Sequence, residues 1–217
     1  MKVLSRWATV GYALFAFVLT VVVARVAVRF MIPATASLVS IPVLIITLML
    51  ACRRSGSNVL AYLGLDIPRC KHIAIAVAGL AVTIVFGDAL LLALGQVAPW
   101  TQWMLETYRS ARADGSLISL SLTIVVAAPI GEELLFRGFV FRVFVDNQRD
   151  AIPNIILISL IWSLGHFQYD RLGITAVFVA GVVLGLVRWR TGSTTLTILL
   201  HMLSNLEGWI ETGIALG

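Results

Sequence analysis

The sequence predicts an all-α fold: a polytopic membrane helix bundle of about seven transmembrane helices plus one short interfacial helix. Two observations carry this. Of 217 residues, 59% are hydrophobic and only 12% are charged, a balance that ordinary soluble domains do not show. The apolar residues also fall in runs long enough for helices of roughly 20 residues, the length a bilayer demands. The whole chain, 1–217, reads as a single bundle.

The first span covers about residues 7–29. Lys2 and Arg6 precede it as they would a signal peptide, but the run is too long for one and no clear Ala-x-Ala cleavage site separates it from the rest. The second covers about 34–51, with Pro33 and Pro42 flanking or kinking it, and the third about 72–95. Pro99, Trp100, Trp103, Glu106, Tyr108 and Arg109 then suit a short helix lying at the interface. The fourth span runs from about 116 to 145, with Pro129 just before a pair of glutamates. The fifth is about 152–168, with Asp150 as its cap and Pro153 in its first turn. The sixth is about 172–188, where Gly173, Gly181 and Gly185 leave room for a close neighbour. The seventh is about 193–213.

This arrangement puts Lys2, Arg6, Arg53, Arg54, Arg69, Lys71, Arg142, Arg149, Arg188 and Arg190 on one side. Arg25, Arg29, Arg109, Arg112 and Arg171 fall on the other. The richer side is expected in the cytoplasm, with the N-terminus. The net charge of +5 then records orientation and contact with anionic lipid. The basic residues are scattered between apolar runs and form no continuous face, so no nucleic-acid partner is expected. Cys52 and Cys70 lie near one cytoplasmic loop, where disulfides are rare, and are read as plain thiols.

The chemistry is expected where charge enters the apolar fourth span. Glu132, Glu133 and Arg137 would be costly in lipid and are kept only if they face the bundle interior. Glu133 and Arg137 are four residues apart and share a helix face. Glu132 is turned away by about 100°, one helical step. One glutamate is then paired and ionised, and its neighbour is left to act as a base. A purely structural salt-bridge cluster satisfies the same pattern. His166 and His201 are two of the three histidines, and they are expected roughly 12–21 Å below the cytoplasmic surface, level with Glu132. His201 and Asn205, four apart, suit an oxyanion site, or equally a polar tie between helices. His166 also suits a packing role. Ser163 is a weaker candidate nucleophile, because Glu132 already offers a base for water. Asp88 and Glu207 read as bundle hydrogen bonds or as lining for substrate entry, and Asp66 and His72 as solvated loop residues.

Three segments together resemble a known family. Gly131-Glu132-Glu133-Leu134-Leu135-Phe136-Arg137-Gly138 is similar to the Glu-Glu-x-x-x-Arg motif of the CAAX-protease and bacteriocin-processing (Abi) family of intramembrane proteases. Trp162-Ser163-Leu164-Gly165-His166 is similar to its Phe-x-x-x-His motif, with tryptophan in first place, a change expected to alter packing more than chemistry. His201-Met202-Leu203-Ser204-Asn205 matches its His-x-x-x-Asn motif. The resemblance covers roughly 116–206 as a catalytic core and leaves the first three helices matched only in hydrophobicity.

The resemblance implies an endopeptidase that cleaves a membrane-associated peptide or C-terminal tail, including prenylated or lipid-associated substrates. Glu132 would activate water with His166, His201 and Asn205 would hold the oxyanion, and Glu133 and Arg137 would organise the site. Within that family the compact chain suggests a prokaryotic plasma-membrane protein among membrane lipids, although the family core is usually drawn with eight helices. No cofactor is expected; the alternative is zinc on Glu132, His166 and His201. A non-catalytic binding or bacteriocin-immunity protein and a proton-coupled transporter are the rival functions.

Overall fold

The computed structural model describes residues 2–93, 95, 101–145 and 151–216, with side chains omitted at 88, 90–92 and 101. Pro99, Trp100, Arg149 and the expected cap Asp150 lie outside the described residues, as does the side chain of Asp88. All regular structure among the described residues is helical.

Helix α1, Arg6–Ala27, opens on Ser5, whose hydroxyl accepts from the Ala8 N–H at 3.2 Å. Helix α2, Pro33–Arg54, begins with a proline in its first turn, where the missing N–H costs nothing, and tolerates Pro42 inside. A short helix α3, Val59–Leu63, is capped by Asn58 and closed by Gly64 in the left-handed conformation, φ 68°. Helix α4 is Cys70–Ala93 and α5 is Thr101–Ala113. Helix α6 is one continuous rod, Leu117–Phe144. Helix α7 is Ala151–Leu164. Helix α8, Arg171–Thr191, runs from an Asp170 cap to a left-handed Gly192. Helix α9, Thr194–Ala215, starts at once on Ser193, whose hydroxyl accepts from the Leu196 N–H.

Among the described residues, five helices are long and apolar enough to cross a membrane: α1, α2, α4 over Cys70–Gly87, α6 and α8. The expectation of about seven is thus met in part. Helix α7 is apolar but has only 14 residues. Helix α9 has 22, but His201, Asn205, Glu207 and Glu211 dilute its hydrophobicity. Exposed phenylalanines and aliphatic residues, such as Phe15, Phe17, Val82 and Phe86, mark faces suited to lipid.

Helix α6 is the axis of the bundle. Its Leu134, Leu135 and Phe139 pack with Leu44, Leu48 and Tyr62 of α2 and α3. Its Phe141 packs with Ile155 and Ile158 of α7, and its Leu120 with Met104 of α5 and Trp209 of α9. The Gly-x-x-x-Gly pair of α8 lies against α7. A Cβ added at Gly185 would sit 2.7 Å from Ile155 Cγ2. Gly185→Ala is therefore expected to lower stability by about 1–3 kcal/mol through overpacking. Gly79→Ala, with nothing within 4 Å of the new methyl group, is the matched control in thermal unfolding.

Two stretches of α6, Thr123–Ala127 and Leu134–Val140, are wound as π-helix. They shift the backbone ladder by one residue on either side of the glutamates, and such bulges are frequent at functional sites. The Ala128 N–H bonds to Thr123 instead of Ile124, and the Phe141 N–H to Phe136 instead of Arg137. The released carbonyls take side-chain donors from other helices. Ile124 O accepts from Asn205 Nδ2 of α9 at 2.9 Å, and Arg137 O from Arg188 Nε of α8 at 3.0 Å. Arg188, counted above among the basic residues of the cytoplasmic side, is buried; its Nε also meets Thr194 Oγ1 at 2.9 Å. Of the thiols, Cys52 is buried and Cys70 exposed, and both are free.

Candidate active site

The antiparallel run of α9 along α6 sets the site. Trp209 Nε1 donates to Ser121 Oγ at 3.0 Å, Asn205 meets Ile124, and His201 Nδ1 lies 3.2 Å from Glu133 Oε1. Adjacent residues on a helix point about 100° apart, so Glu132 and Glu133 serve different sides.

Glu133 faces inward. Arg137 Nη1 donates to its Oε1 at 2.8 Å, and both side chains are fully enclosed, at 0% and 1% exposure. Arg137 Nη2 donates to Gly181 O at 3.1 Å, and the guanidinium lies 4.4 Å from the centre of the Trp162 ring. The carboxylate is thus held between an arginine and a histidine. His201 has its Nδ1 on an acceptor, so Nδ1 carries the proton and Nε2 is the nitrogen left for other work.

Glu132 faces α7 and is 31% exposed. Its Oε2 accepts from Trp162 Nε1 at 2.6 Å and lies 4.0 Å from His166 Nε2. His166 Nδ1 is 2.9 Å from the Trp162 carbonyl. A carbonyl only accepts, so Nδ1 bears the hydrogen, and in the neutral ring Nε2 is an acceptor turned toward Glu132.

His166 does not lie within its helix, as expected above. Helix α7 ends at Leu164, and His166 sits in the turn that leads to α8. Gly165 follows the last helical residue, and Asp170 opens α8 by accepting from the Gly173 N–H at 2.8 Å. In that turn Tyr169 stacks on His166, ring centres 6.0 Å apart, and Trp103 of α5 meets Tyr169 edge-on at 5.7 Å. Burial pushes the Tyr169 phenol above its ordinary pKa; a hydrogen bond with Gln168 opposes this, and the Glu132 charge adds to it.

The structure brings Glu132, Trp162 and His166 together on one side, and Glu133, Arg137 and His201 on the other. Trp162 is common to both, its ring edge-on to His166 at 5.1 Å and to His201 at 5.4 Å. Asn205 is half-buried one turn further along α9, with one amide hydrogen committed to Ile124. Ser163 is buried and donates to Leu160 O. Glu132, His166 and His201 do not fit zinc as a ligand set. The indole stands edge-on against both imidazoles. Among the described residues no group of three His, Cys, Asp or Glu side chains is arranged to hold a metal. The sequence reading missed Trp162 as a polar partner. The available signal was its indole N–H, which a buried tryptophan normally satisfies.

Residues 114–206, the stretch holding all of these groups except Trp103 and Trp209, match the family described as Type II CAAX prenyl endopeptidase Rce1-like. This stretch is related to the CAAX-protease family. An uncharacterized 24.3 kDa protein of Escherichia coli is 29% identical over 124 residues, which cover 56% of this chain and 57% of that protein. The match thus spans little more than half the length of that curated relative. No solved structure matches the chain. The CAAX-protease relation and the buried Glu133–His201 contact are consistent with a glutamate–histidine catalytic pair in a multi-pass membrane protein.

Proposed function

We propose that this protein is an intramembrane endopeptidase that hydrolyses a peptide bond of a membrane-associated peptide or C-terminal tail with water activated by Glu132 and His166. The observation that carries this reading is the pair of facing acceptors, Glu132 Oε2 and His166 Nε2, 4.0 Å apart on partly exposed side chains. A water between them gives one hydrogen to each and turns a lone pair outward. As that lone pair attacks the carbonyl carbon, Glu132 takes the proton, and it then returns the proton to the departing amine as the C–N bond breaks. The carbonyl oxygen, now negative, is assigned to His201 and the remaining amide hydrogen of Asn205. Donation from His201 Nε2 needs a ring protonated on both nitrogens, with its Nδ1 hydrogen directed to Glu133. Arg137 holds Glu133 in place for that task.

The finer assignments follow the charge pattern. Helices α7 and α9 complete seven crossings inside the shelter of the longer ones. The Lys and Arg bias puts the N-terminus in the cytoplasm of a prokaryotic plasma membrane. The substrate class is a peptide or a prenylated or lipid-associated protein tail.

The test compares membrane peptidomes of cells making the native protein or Glu132→Gln at equal abundance. A set of trimmed tails present only with native protein is the expected result. Identical peptidomes would remove the protease reading and favour a binding or immunity role for the same cavity.

A further inference from the structure

Trp162 occupies the position where the resembling motif carries phenylalanine, and every part of it is engaged. Its N–H reaches Glu132 Oε2 at 2.6 Å. Its ring lies against the Arg137 guanidinium at 4.4 Å, and its edges meet His166 and His201. Its carbonyl takes the Nδ1 hydrogen of His166. Behind it, a Cβ at Gly181 would lie 2.9 Å from Trp162 Cε3, so the indole has no room to withdraw toward α8. A phenylalanine could fill part of this space but could not donate to the carboxylate.

We infer that Trp162 is a positioning residue that orients the Glu132 carboxylate toward the reacting water through its indole N–H. The inference rests on the protease reading above. A carboxylate on a helix turns freely about its terminal bond unless something fixes it, and here the indole donor fixes Oε2. A charge-assisted bond of this kind is stronger than a neutral one. The same residue sets the proton position on His166 by way of its carbonyl. One side chain with its own peptide group thus aligns both acceptors of the proposed water site.

The experiment separates the N–H from the shape of the ring. Trp162 is replaced in cells by 5-fluorotryptophan, which keeps the N–H, or by benzothienylalanine, which puts sulfur in its place; Trp162→Phe is made alongside. The readout is the amount of Glu132-dependent trimmed peptide in the membrane peptidome, at matched protein abundance and thermal stability. The benzothienylalanine and phenylalanine forms are expected to fall about 10- to 150-fold, as loss of one hydrogen bond to a charged group implies, with the fluorinated form near native. Native trimming with benzothienylalanine would overturn the proposal while leaving the protease reading intact. Trimming that is unchanged in Glu132→Gln would overturn both.

Discussion

Arg137→Met is expected to destabilise the folded protein by about 3–5 kcal/mol, the usual consequence of removing one partner from a buried ion pair. Arg137 and Glu133 are both shielded from solvent, and the guanidinium also serves Gly181 O and the face of Trp162. Without it, the Glu133 carboxylate loses its guanidinium partner and keeps the His201 imidazole at 3.2 Å in a low-dielectric interior. Glu133→Leu combined with Arg137→Met removes both charges and is expected to cost less than Arg137→Met alone. Arg137→Lys recovers the charge but not the forked geometry that meets a carboxylate and a carbonyl at once. Unfolding in mild detergent, by heat or by added denaturing detergent, measures all of these. Single variants within 1 kcal/mol of native would mean that the pair is hydrated and that the cost is that of a surface bridge.

How much of this could be read from the sequence depends on what kind of pattern carried each feature. The apolar runs located the helices, because bilayer thickness dictates their length. The i,i+4 spacing was enough to pair Glu133 with Arg137 and to turn Glu132 elsewhere, and the structure places them that way. What periodicity could not show was the ladder shift in α6. Both π-wound stretches depend on donors from distant helices, Asn205 and Arg188, and neither is visible in local sequence. His166 was placed inside a helix because its neighbours are apolar. The Gly165 break and the Asp170 cap that put it in a turn are short signals outweighed by hydropathy. Trp162 was read by volume alone, which hid the hydrogen that meets Glu132. Arg188 was counted as a topology marker, yet its guanidinium closes the joint between α6, α8 and α9.

Asn205→Leu is expected to have two separable consequences, and Pro129→Ala pulls them apart. The π-wound stretch directs the Ala128 N–H to Thr123, so the next donor in register for Ile124 O would be residue 129. That residue is proline and has no N–H to give. The Asn205 amide fills the gap at 2.9 Å. Taking it away leaves a carbonyl unpaired, at a cost of about 1–3 kcal/mol in unfolding. In Pro129→Ala/Asn205→Leu the backbone regains a donor where the proline stood, and most of that stability is expected to return. Activity is not. Half of the Asn205 amide is spent on Ile124, and the other hydrogen is the one assigned to the oxyanion, so Glu132-dependent cleavage in the double variant is expected to stay down by about 100- to 1,000-fold. Should cleavage recover together with stability, Asn205 is a helix tie alone, and charge on the tetrahedral intermediate must be met by His201 without it.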